Sequence, residues 1–203
     1  MINFDFYTPT KILFGAGRER EVGKQVAAFG GHKVMIVYGK RGGHIETSGL
    51  LDLVHKSLSD AGLSYVDLNG VVPNPRLSLV KEGIRIGRAQ GVDFLLPIGG
   101  GSVIDTAKGI GYGIANDFEM EDLLYGRVKT DKNLPIGVIL TIAAAGSEMS
   151  SSMVLTIEDG MMKRSYGHDC ARPRFAIMNP ELTYSLSAYQ TASGAADIMM
   201  HTM

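Results

Sequence analysis

The sequence predicts an α/β fold with a mainly parallel sheet and flanking helices. Short, continuous apolar runs, such as VMIVY at residues 34–38, are typical of strands buried on both faces. Segments with apolar residues at helical spacing lie between these runs, and glycine-rich turns separate the two. Strands that alternate with helices in this way form parallel sheets, because each helix returns the chain to the same edge of the sheet.

The predicted elements follow this alternation along the chain. The predicted strands are residues 11–14, 34–38, 64–68, 94–98, 135–140, 153–157 and 175–178. The predicted helices are residues 18–29, 48–58, 78–90, 102–115 and 120–125, with a last helix from Ser187 onwards. Pro73 and Pro75 exclude a helix from the extended segment after the third strand.

Composition narrows the classes of function. The 203 residues are 45% hydrophobic, which is enough for a sizeable core. With 20 basic and 21 acidic residues, the chain lacks the cationic excess of a general nucleic-acid binder, so its expected partners are small molecules. The single Cys170 excludes an internal disulfide framework. No apolar run is long enough for a membrane span, and residues 1–10 lack a signal-peptide pattern, so we expect a cytoplasmic protein.

A run of three glycines is the strongest candidate for a ligand site. Gly99, Gly100 and Gly101 follow a buried predicted strand and precede a helix that begins at Ser102. Glycines let the backbone approach a ligand, and the first N–H groups of a helix attract an anion. We therefore favour a nucleotide pyrophosphate at this turn over a plain turn between strand and helix. Positions 103, 107, 110 and 114 are apolar, which predicts that one face of the helix packs on the sheet.

Other turns give weaker signals. Residues 15–20 almost match the dinucleotide pattern G-x-G-x-x-G, but Arg20 replaces the third glycine, which favours a structural turn. Asp67 is better interpreted as an ordinary strand-end carboxylate than as a ribose-binding acid. The hydroxyls of Thr141 and Ser147 could face a ligand if the strands before the two turns are neighbours, although close packing of small residues explains the same segment. Lys163 is either a phosphate or ribose contact or a solvated lysine.

The last predicted helix carries a possible pair of metal ligands. Asp197 and His201 are four residues apart, so their side chains share one face and could bind one cation. A surface hydrogen-bonded pair is the other interpretation of this spacing. The printed sequence stops inside the helix without a glycine or proline, so we expect that the natural protein continues.

Five motifs in sequence order resemble the iron-containing alcohol dehydrogenase family, and its butanol dehydrogenase branch in particular. They are PNP at residues 73–75, GGGSVIDTAK at 99–108, LTIAAAGSE at 140–148, FAIMNPELTYSL at 175–186 and GAADIMMH at 194–201. The resemblance implies a Rossmann-like NAD(P)-binding domain over residues 1–186. It also implies that residues 187–203 are the first helix of an all-α, metal-binding domain.

The resemblance also assigns roles to individual residues. Gly99, Gly100, Gly101 and Ser102 would hold the pyrophosphate, Asp105 would lie near the nicotinamide half, Thr141 and Lys163 would contact phosphate or ribose, Leu182 would line the pocket, and Asn74 is a looser candidate. Asp197 and His201 would be two of four metal ligands, the others being histidines further along in family members. No catalytic residue beyond the metal ligands is assigned.

The turn that begins at Gly39 bears on the choice of nucleotide. Family members that prefer NAD tend to carry an acid here, whereas this chain has Lys40 and Arg41, and its first acid is Glu46. Cations favour a 2′-phosphate, so we expect NADP, with NAD as the alternative.

The implied activity is hydride transfer between a nicotinamide and a primary alcohol or aldehyde, assisted by divalent iron or zinc. The implied assembly is a homodimer or a larger homo-oligomer. Because two metal ligands would lie outside the printed chain, these 203 residues alone should turn over weakly or not at all. The alternatives are a glycerol dehydrogenase or dehydroquinate synthase relative of the same fold, and a non-catalytic nucleotide-binding module.

Overall fold

The computed structural model of the protein describes residue 3 and residues 7–203. Its strands are β1 (Lys11–Phe14), β2 (Lys33–Tyr38), β3 (Ser64–Leu68), β4 (Phe94–Gly99), β5 (Gly137–Leu140), β6 (Ser152–Ile157), β7 (Met162–Gly167) and β8 (Phe175–Met178). Its α-helices are α1 (Val22–Ala28), α2 (His44–Thr47), α3 (Leu50–Asp60), α4 (Leu77–Gln90), α5 (Gly101–Ala115), α6 (Met120–Leu124) and α7 (Ala188–Thr202). Short 3₁₀ helices comprise Arg18–Glu21, Asp159–Met161, Asp169–Ala171 and Pro180–Thr183.

Six strands form one parallel sheet in the order β1-β8-β5-β4-β2-β3. Alternate residues of β2 enter different cores: Val34 and Ile36 pack with α1 and α3, whereas Met35 and Val37 pack with α4 and α5. Helices therefore cover both faces. This architecture confirms the predicted fold class, a Rossmann-like α/β sheet followed by a C-terminal helix.

The order of the strands creates a crevice between β2 and β4. The chain runs from β2 outward to β3, crosses back to β4, and continues to β5 and β8 in the opposite direction. The helices that follow β2 and β4, α3 and α5, consequently lie on opposite faces. Ligands of open α/β sheets bind at the carboxyl ends of the strands where the order reverses in this way.

The structure contains a hairpin that the sequence did not predict in full. β6 was expected, but residues 162–167 form β7, which pairs with β6 in antiparallel register. β7 has the sequence MKRSYG and is mostly exposed, so it lacks the apolar run that marks a buried strand. The hairpin is attached to the main body where the Thr156 N–H donates to the Pro75 carbonyl at 2.8 Å.

Helix α5 is buried on nearly every side, whereas its apolar spacing predicted one buried face. All residues from Val103 to Gly113 are buried, because the helix is enclosed by the sheet, α4 and β6. Glycines allow this close packing. A Cβ at Gly109 would lie 3.0 Å from Leu155 of β6, and one at Gly113 would lie 2.1 Å from Ile84 of α4.

The first predicted helix, residues 18–29, is divided in two. A 3₁₀ turn over Arg18–Glu21 precedes α1, and Glu21 has φ −90° and ψ 0°, outside the α-helical region. The short α1 then packs closely on α3, where a Cβ at Gly23 would lie 2.0 Å from the Ser57 carbonyl oxygen.

In the part of the chain that the structure describes, no helix could span a membrane.

The contact between α1 and α3 gives a test of the fold. Gly23→Ala gains about 1 kcal/mol of helix propensity. It loses about 3 kcal/mol through overpacking, because the methyl group meets a backbone carbonyl that cannot rotate away. We expect a net loss of about 2 kcal/mol in the free energy of unfolding, measured by urea denaturation. Lys24→Ala, at the adjacent exposed position, is the control and should leave the midpoint unchanged or slightly raised. A Gly23→Ala variant as stable as the parent would contradict this packing.

Candidate active site at the carboxyl edge of the sheet

The parallel sheet brings together site residues that are distant in sequence. Gly39 follows β2, Asn74 lies in the loop after β3, Gly99 ends β4, Thr141 follows β5, and Leu182 lies in the 3₁₀ helix after β8. Because all these strands run in one direction, the five positions lie along the same edge of the sheet.

The triple-glycine turn is packed tightly against its neighbours. A Cβ at Gly99 would lie 2.5 Å from the Val103 side chain, and one at Gly100 would lie 2.4 Å from the Ile142 side chain. At Gly101, the added atom would lie 3.3 Å from the Ser147 Oγ. Larger residues at the first two positions would therefore displace the turn or the loop after β5.

The first turn of α5 presents free backbone donors. No side chain caps the helix, and the Gly100 carbonyl accepts from the Val103 and Ile104 N–H groups at 3.0 and 3.2 Å. The N–H groups of Gly101 and Ser102 have no acceptor among the residues that the structure describes. Both residues are only half-buried. Two unpaired amides at the positive end of a 15-residue helix fit an anionic group such as a phosphate.

The loop after β5 lies beside this turn. β4 and β5 are neighbours, which was the condition for a shared site, and the Thr141 N–H donates to the Gly99 carbonyl at 3.2 Å. The Ser147 Oγ lies within 3.3 Å of the position that a Cβ would take at Gly101. The structure therefore brings Thr141 and Ser147 next to the triple-glycine turn.

A cavity of about 340 Å³ lies at the same edge of the sheet. Thr141 and Leu182 line it together with Ile45, Leu50 and Leu53. Its volume and largely apolar lining suit part of a small organic molecule.

Two contacts in the cavity wall were not anticipated from the sequence, although His44 belongs to the turn after β2 that was expected to begin a ligand site. Glu19 is 7% exposed, and its Oε2 accepts from the Asn179 amide at 3.1 Å. His44 joins two walls through a 3.0 Å hydrogen bond between its Nε2 and the Ser185 Oγ. Neither residue belongs to a recognisable motif, and both contacts span more than a hundred residues, so no local pattern could have revealed them.

Asp105 is directed toward the hairpin. Its Oδ2 accepts from the Val154 N–H at 3.0 Å. Its Oδ1 is buried and has no partner within the described ranges. Burial raises the pKa of this carboxyl above its ordinary value. The carboxylate thus connects α5 to β6, and its predicted position near a nicotinamide stays a prediction.

The turn after β2 is closed by an acid. Lys40 and Arg41 are exposed. Glu46 folds back over the turn, where its two oxygens accept from the Gly42 N–H at 2.7 Å and the Tyr38 hydroxyl at 3.1 Å. The turn therefore carries two exposed cations and one carboxylate that is already hydrogen-bonded.

Asn74 and Lys163 are connected through the hairpin. Asn74 adopts a left-handed backbone with φ 59°, which asparagine tolerates better than most residues. The next residue, Pro75, accepts from Thr156, and Thr156 is the cross-strand partner of Lys163. Lys163 lies on β7 with an exposed side chain, and not in a loop.

Asp197 and His201 share one face of α7, as their spacing predicts. The Asp197 Oδ1 and His201 Nε2 are 3.7 Å apart, and both side chains are largely exposed. This separation allows both atoms to bind one divalent cation. No cluster of three or more His, Cys, Asp or Glu side chains suited to a metal occurs in the described part of the chain.

The position of α7 is set near its middle. Gly194 is its one buried residue, and a Cβ there would lie 2.7 Å from the Ala143 carbonyl oxygen. The helix that carries the acid and histidine therefore packs on the loop after β5.

Comparison with known proteins places these features in one family. The family model for iron-containing alcohol dehydrogenases matches residues 9–180. The chain is 41% identical over 202 residues to the NADH-dependent butanol dehydrogenase A of Clostridium acetobutylicum, covering 100% of this chain and 51% of that protein. It is 34% identical over 207 residues to the NADPH-dependent aldehyde reductase YqhD of Escherichia coli, covering 100% of this chain and 52% of that protein.

A solved structure gives the same result. The crystal structure of the NADH-dependent butanol dehydrogenase A of Thermotoga maritima matches with a TM-score of 0.94 and 37% identity, over 98% of this chain and 50% of that chain. The chain thus spans about half the length of these relatives. Because the family model and the relatives match most of its residues, the chain belongs to the iron-containing alcohol dehydrogenase family.

Proposed function

We propose that this chain is the cofactor-binding part of an NAD(P)-dependent, metal-assisted oxidoreductase that interconverts a primary alcohol and an aldehyde. The observation that carries the proposal is the pair of unpaired N–H groups at Gly101 and Ser102, in the turn after β4, the strand beside the crevice. Family membership supplies the reaction class, since the relatives named above are alcohol dehydrogenases or aldehyde reductases. In this proposal residues 1–186 form the dinucleotide-binding domain, and residues 187–203 begin a helical metal-binding domain.

The binding roles that we propose are supported by positions along the carboxyl edge of the sheet and by the family resemblance. The amides of Gly101 and Ser102 hold the pyrophosphate, while Gly99 and Gly100 keep the turn compact. One nucleoside end of the dinucleotide occupies the cavity lined by Thr141 and Leu182. The remaining contacts that we propose are Gly39, Asn74, Asp105, Ser147 and Lys163.

Asp197 and His201 would hold the metal. A carboxylate and an imidazole suit divalent iron or zinc equally well. When bound, the metal supplies Lewis-acid polarisation of the substrate oxygen, and the nicotinamide supplies or accepts the hydride. The chain's own part is to bind and orient the dinucleotide and to provide two metal donors. With two donors only, the 203 residues by themselves should bind dinucleotide without efficient turnover.

The sheet has an edge that supports self-association. β1 is an edge strand of the parallel sheet, and its Ile12 and Phe14 are 41% and 67% exposed. Exposed apolar edges favour pairing with another chain. We therefore propose a homodimer or a larger homo-oligomer.

Substrate assays on the natural full-length protein test the reaction class. Primary alcohols and aldehydes should be better substrates than glycerol. Glycerol as the preferred substrate would support a glycerol dehydrogenase instead, and dinucleotide binding without any turnover would support a nucleotide-binding module.

Gly101→Ala tests the pyrophosphate site. The methyl group would enter beside the Ser147 Oγ, in the space that a phosphate needs. We expect the dissociation constant for NADPH to rise about tenfold, which corresponds to ~1.4 kcal/mol, in a nicotinamide fluorescence titration. Ala115→Val, at the opposite end of α5, is the control. An unchanged dissociation constant in Gly101→Ala would exclude this turn as the binding site.

The choice between NADP and NAD depends on the charge of the turn after β2. Because Lys40 and Arg41 are exposed and Glu46 is already engaged, we propose NADP. Replacing both cations by alanine should weaken NADPH binding relative to NADH by roughly 30-fold, from two contacts of about 1 kcal/mol each.

The preference for NADPH over NADH should also shrink at high salt, because Lys40 and Arg41 are solvated and salt screens their charges. Replacement of two exposed lysines in another loop, Lys129 and Lys132, controls for net charge. A stronger affinity of the parent protein for NADH than for NADPH would overturn this assignment.

Asp197→Asn tests the metal pair. The amide keeps the shape of the carboxylate but loses its charge, so bound metal measured by elemental analysis should fall well below that of the parent. Alcohol oxidation should fall at least 100-fold, while the dissociation constant for the dinucleotide stays within twofold. Ala196→Asn, at the neighbouring exposed position, is the control. Full metal content in Asp197→Asn would exclude this residue as a ligand.

A further inference from the structure

Lys108 is a buried cation that the roles above do not use. Its side chain has no exposed surface, and its Nζ donates to the carbonyls of Ser147, Ser150 and Ser152 at 2.9, 2.8 and 2.7 Å. An ammonium group has three N–H donors, so every donor is used. A single charge on α5 therefore holds two points of the segment between β5 and β6, and the first residue of β6.

This segment forms one wall of the proposed phosphate site. The Ser147 Oγ would lie 3.3 Å from a Cβ at Gly101, so Ser147 borders this position, and the segment bends at Gly146, which has φ 74°. One turn before Lys108, Asp105 binds the Val154 N–H, just beyond the same segment. Helix α5 thus holds the chain at four points between Ser147 and Val154.

We propose that Lys108 is a positioning residue for dinucleotide binding. Its ammonium group holds the carbonyls of Ser147, Ser150 and Ser152 against α5, and this keeps Ser147 beside Gly101 without closing the space in front of the free amides. Lys108 acts through Ser147 and does not contact the dinucleotide. The inference rests on the proposed function, because it concerns the same phosphate site.

The positive charge is needed, and not merely the length of the side chain. A neutral amine has two donors, so one of the three carbonyls would lose its partner and would face a lone pair. Burial lowers the pKa of Lys108 from its ordinary value to about 8. Asp105 on α5 and Glu148 on the loop favour the charged form, and Arg172, before β8, opposes it.

Binding and stability should therefore respond to pH in opposite directions. As the pH rises through about 8, Lys108 loses its proton and the segment loosens, so dinucleotide affinity falls. The folded chain binds fewer protons than the unfolded chain between pH 8 and the ordinary lysine pKa of 10.5, so the contribution of Lys108 to the free energy of unfolding rises with pH there. A residue that only supports the fold would change affinity and stability together.

The test uses the natural full-length protein with NADPH as the probe, from pH 6.5 to 9.5. The parent should lose about tenfold in affinity across this range. Lys108→Met should bind at least tenfold more weakly than the parent at pH 7, with no inflection near pH 8. Lys108→Arg keeps its charge throughout, so its affinity should stay level. Lys56→Met, an exposed lysine of α3, should behave like the parent.

Amide hydrogen exchange in residues 146–152, measured without dinucleotide, gives a second readout. Exchange should be faster in Lys108→Met than in the parent at pH 7, and faster in the parent than in Lys108→Arg at pH 9. A Lys108→Met variant with the affinity and exchange of the parent would overturn the inference. Absence of NADPH and NADH binding in the parent would refute the proposed function, whereas the exchange result would still report on Lys108.

Discussion

The enclosure of α5 is the constraint on which the rest of this structure depends. The helix lies between the sheet, α4 and the hairpin β6-β7, and its interior residues are buried on all sides. Such enclosure requires side chains small enough for three neighbours to approach, which Gly109 and Gly113 provide. It also fixes the direction of the first turn of the helix, because a helix held on all sides cannot tilt. The free amides of Gly101 and Ser102 therefore have a defined position at the edge of the sheet.

Burial of α5 brings two ionisable groups inside the protein, and both attach neighbouring backbone. Asp105 holds the hairpin at Val154, and Lys108 holds the loop after β5. Buried charges are costly unless they are hydrogen-bonded, and the Lys108 ammonium satisfies this condition with three carbonyls. Polar groups inside the protein thus link the helix that follows the triple-glycine turn to the loop after β5 and to the hairpin. The stability of the fold and the geometry of the turn therefore depend on the same contacts.

The candidate site is assembled in two parts with different degrees of enclosure. The turns after β2, β4, β5 and β8 form a continuous edge with a cavity, supported by the sheet. The Asp197 and His201 pair lies on α7, a largely exposed helix whose one buried residue is Gly194. The first part is fixed by strands and helices on both sides of it. The second part presents one carboxylate and one imidazole 3.7 Å apart.

The sequence by itself determined the parallel α/β class, most strand and helix positions, the triple-glycine turn and the face shared by Asp197 and His201, since each follows from local periodicity or spacing. Tertiary structure alone decided the pairing of β7, the enclosure of α5, the three carbonyl contacts of Lys108 and the closure of the β2 turn by Glu46. The contacts of α5 and Lys108 join segments dozens of residues apart and bury a polar side chain that composition would place in water. The bonds of Glu46 are local, but the spacing of the residues does not specify that its carboxylate turns back onto Gly42 and Tyr38. Local patterns encode which face of an element is apolar, but they do not encode which distant group satisfies a buried charge.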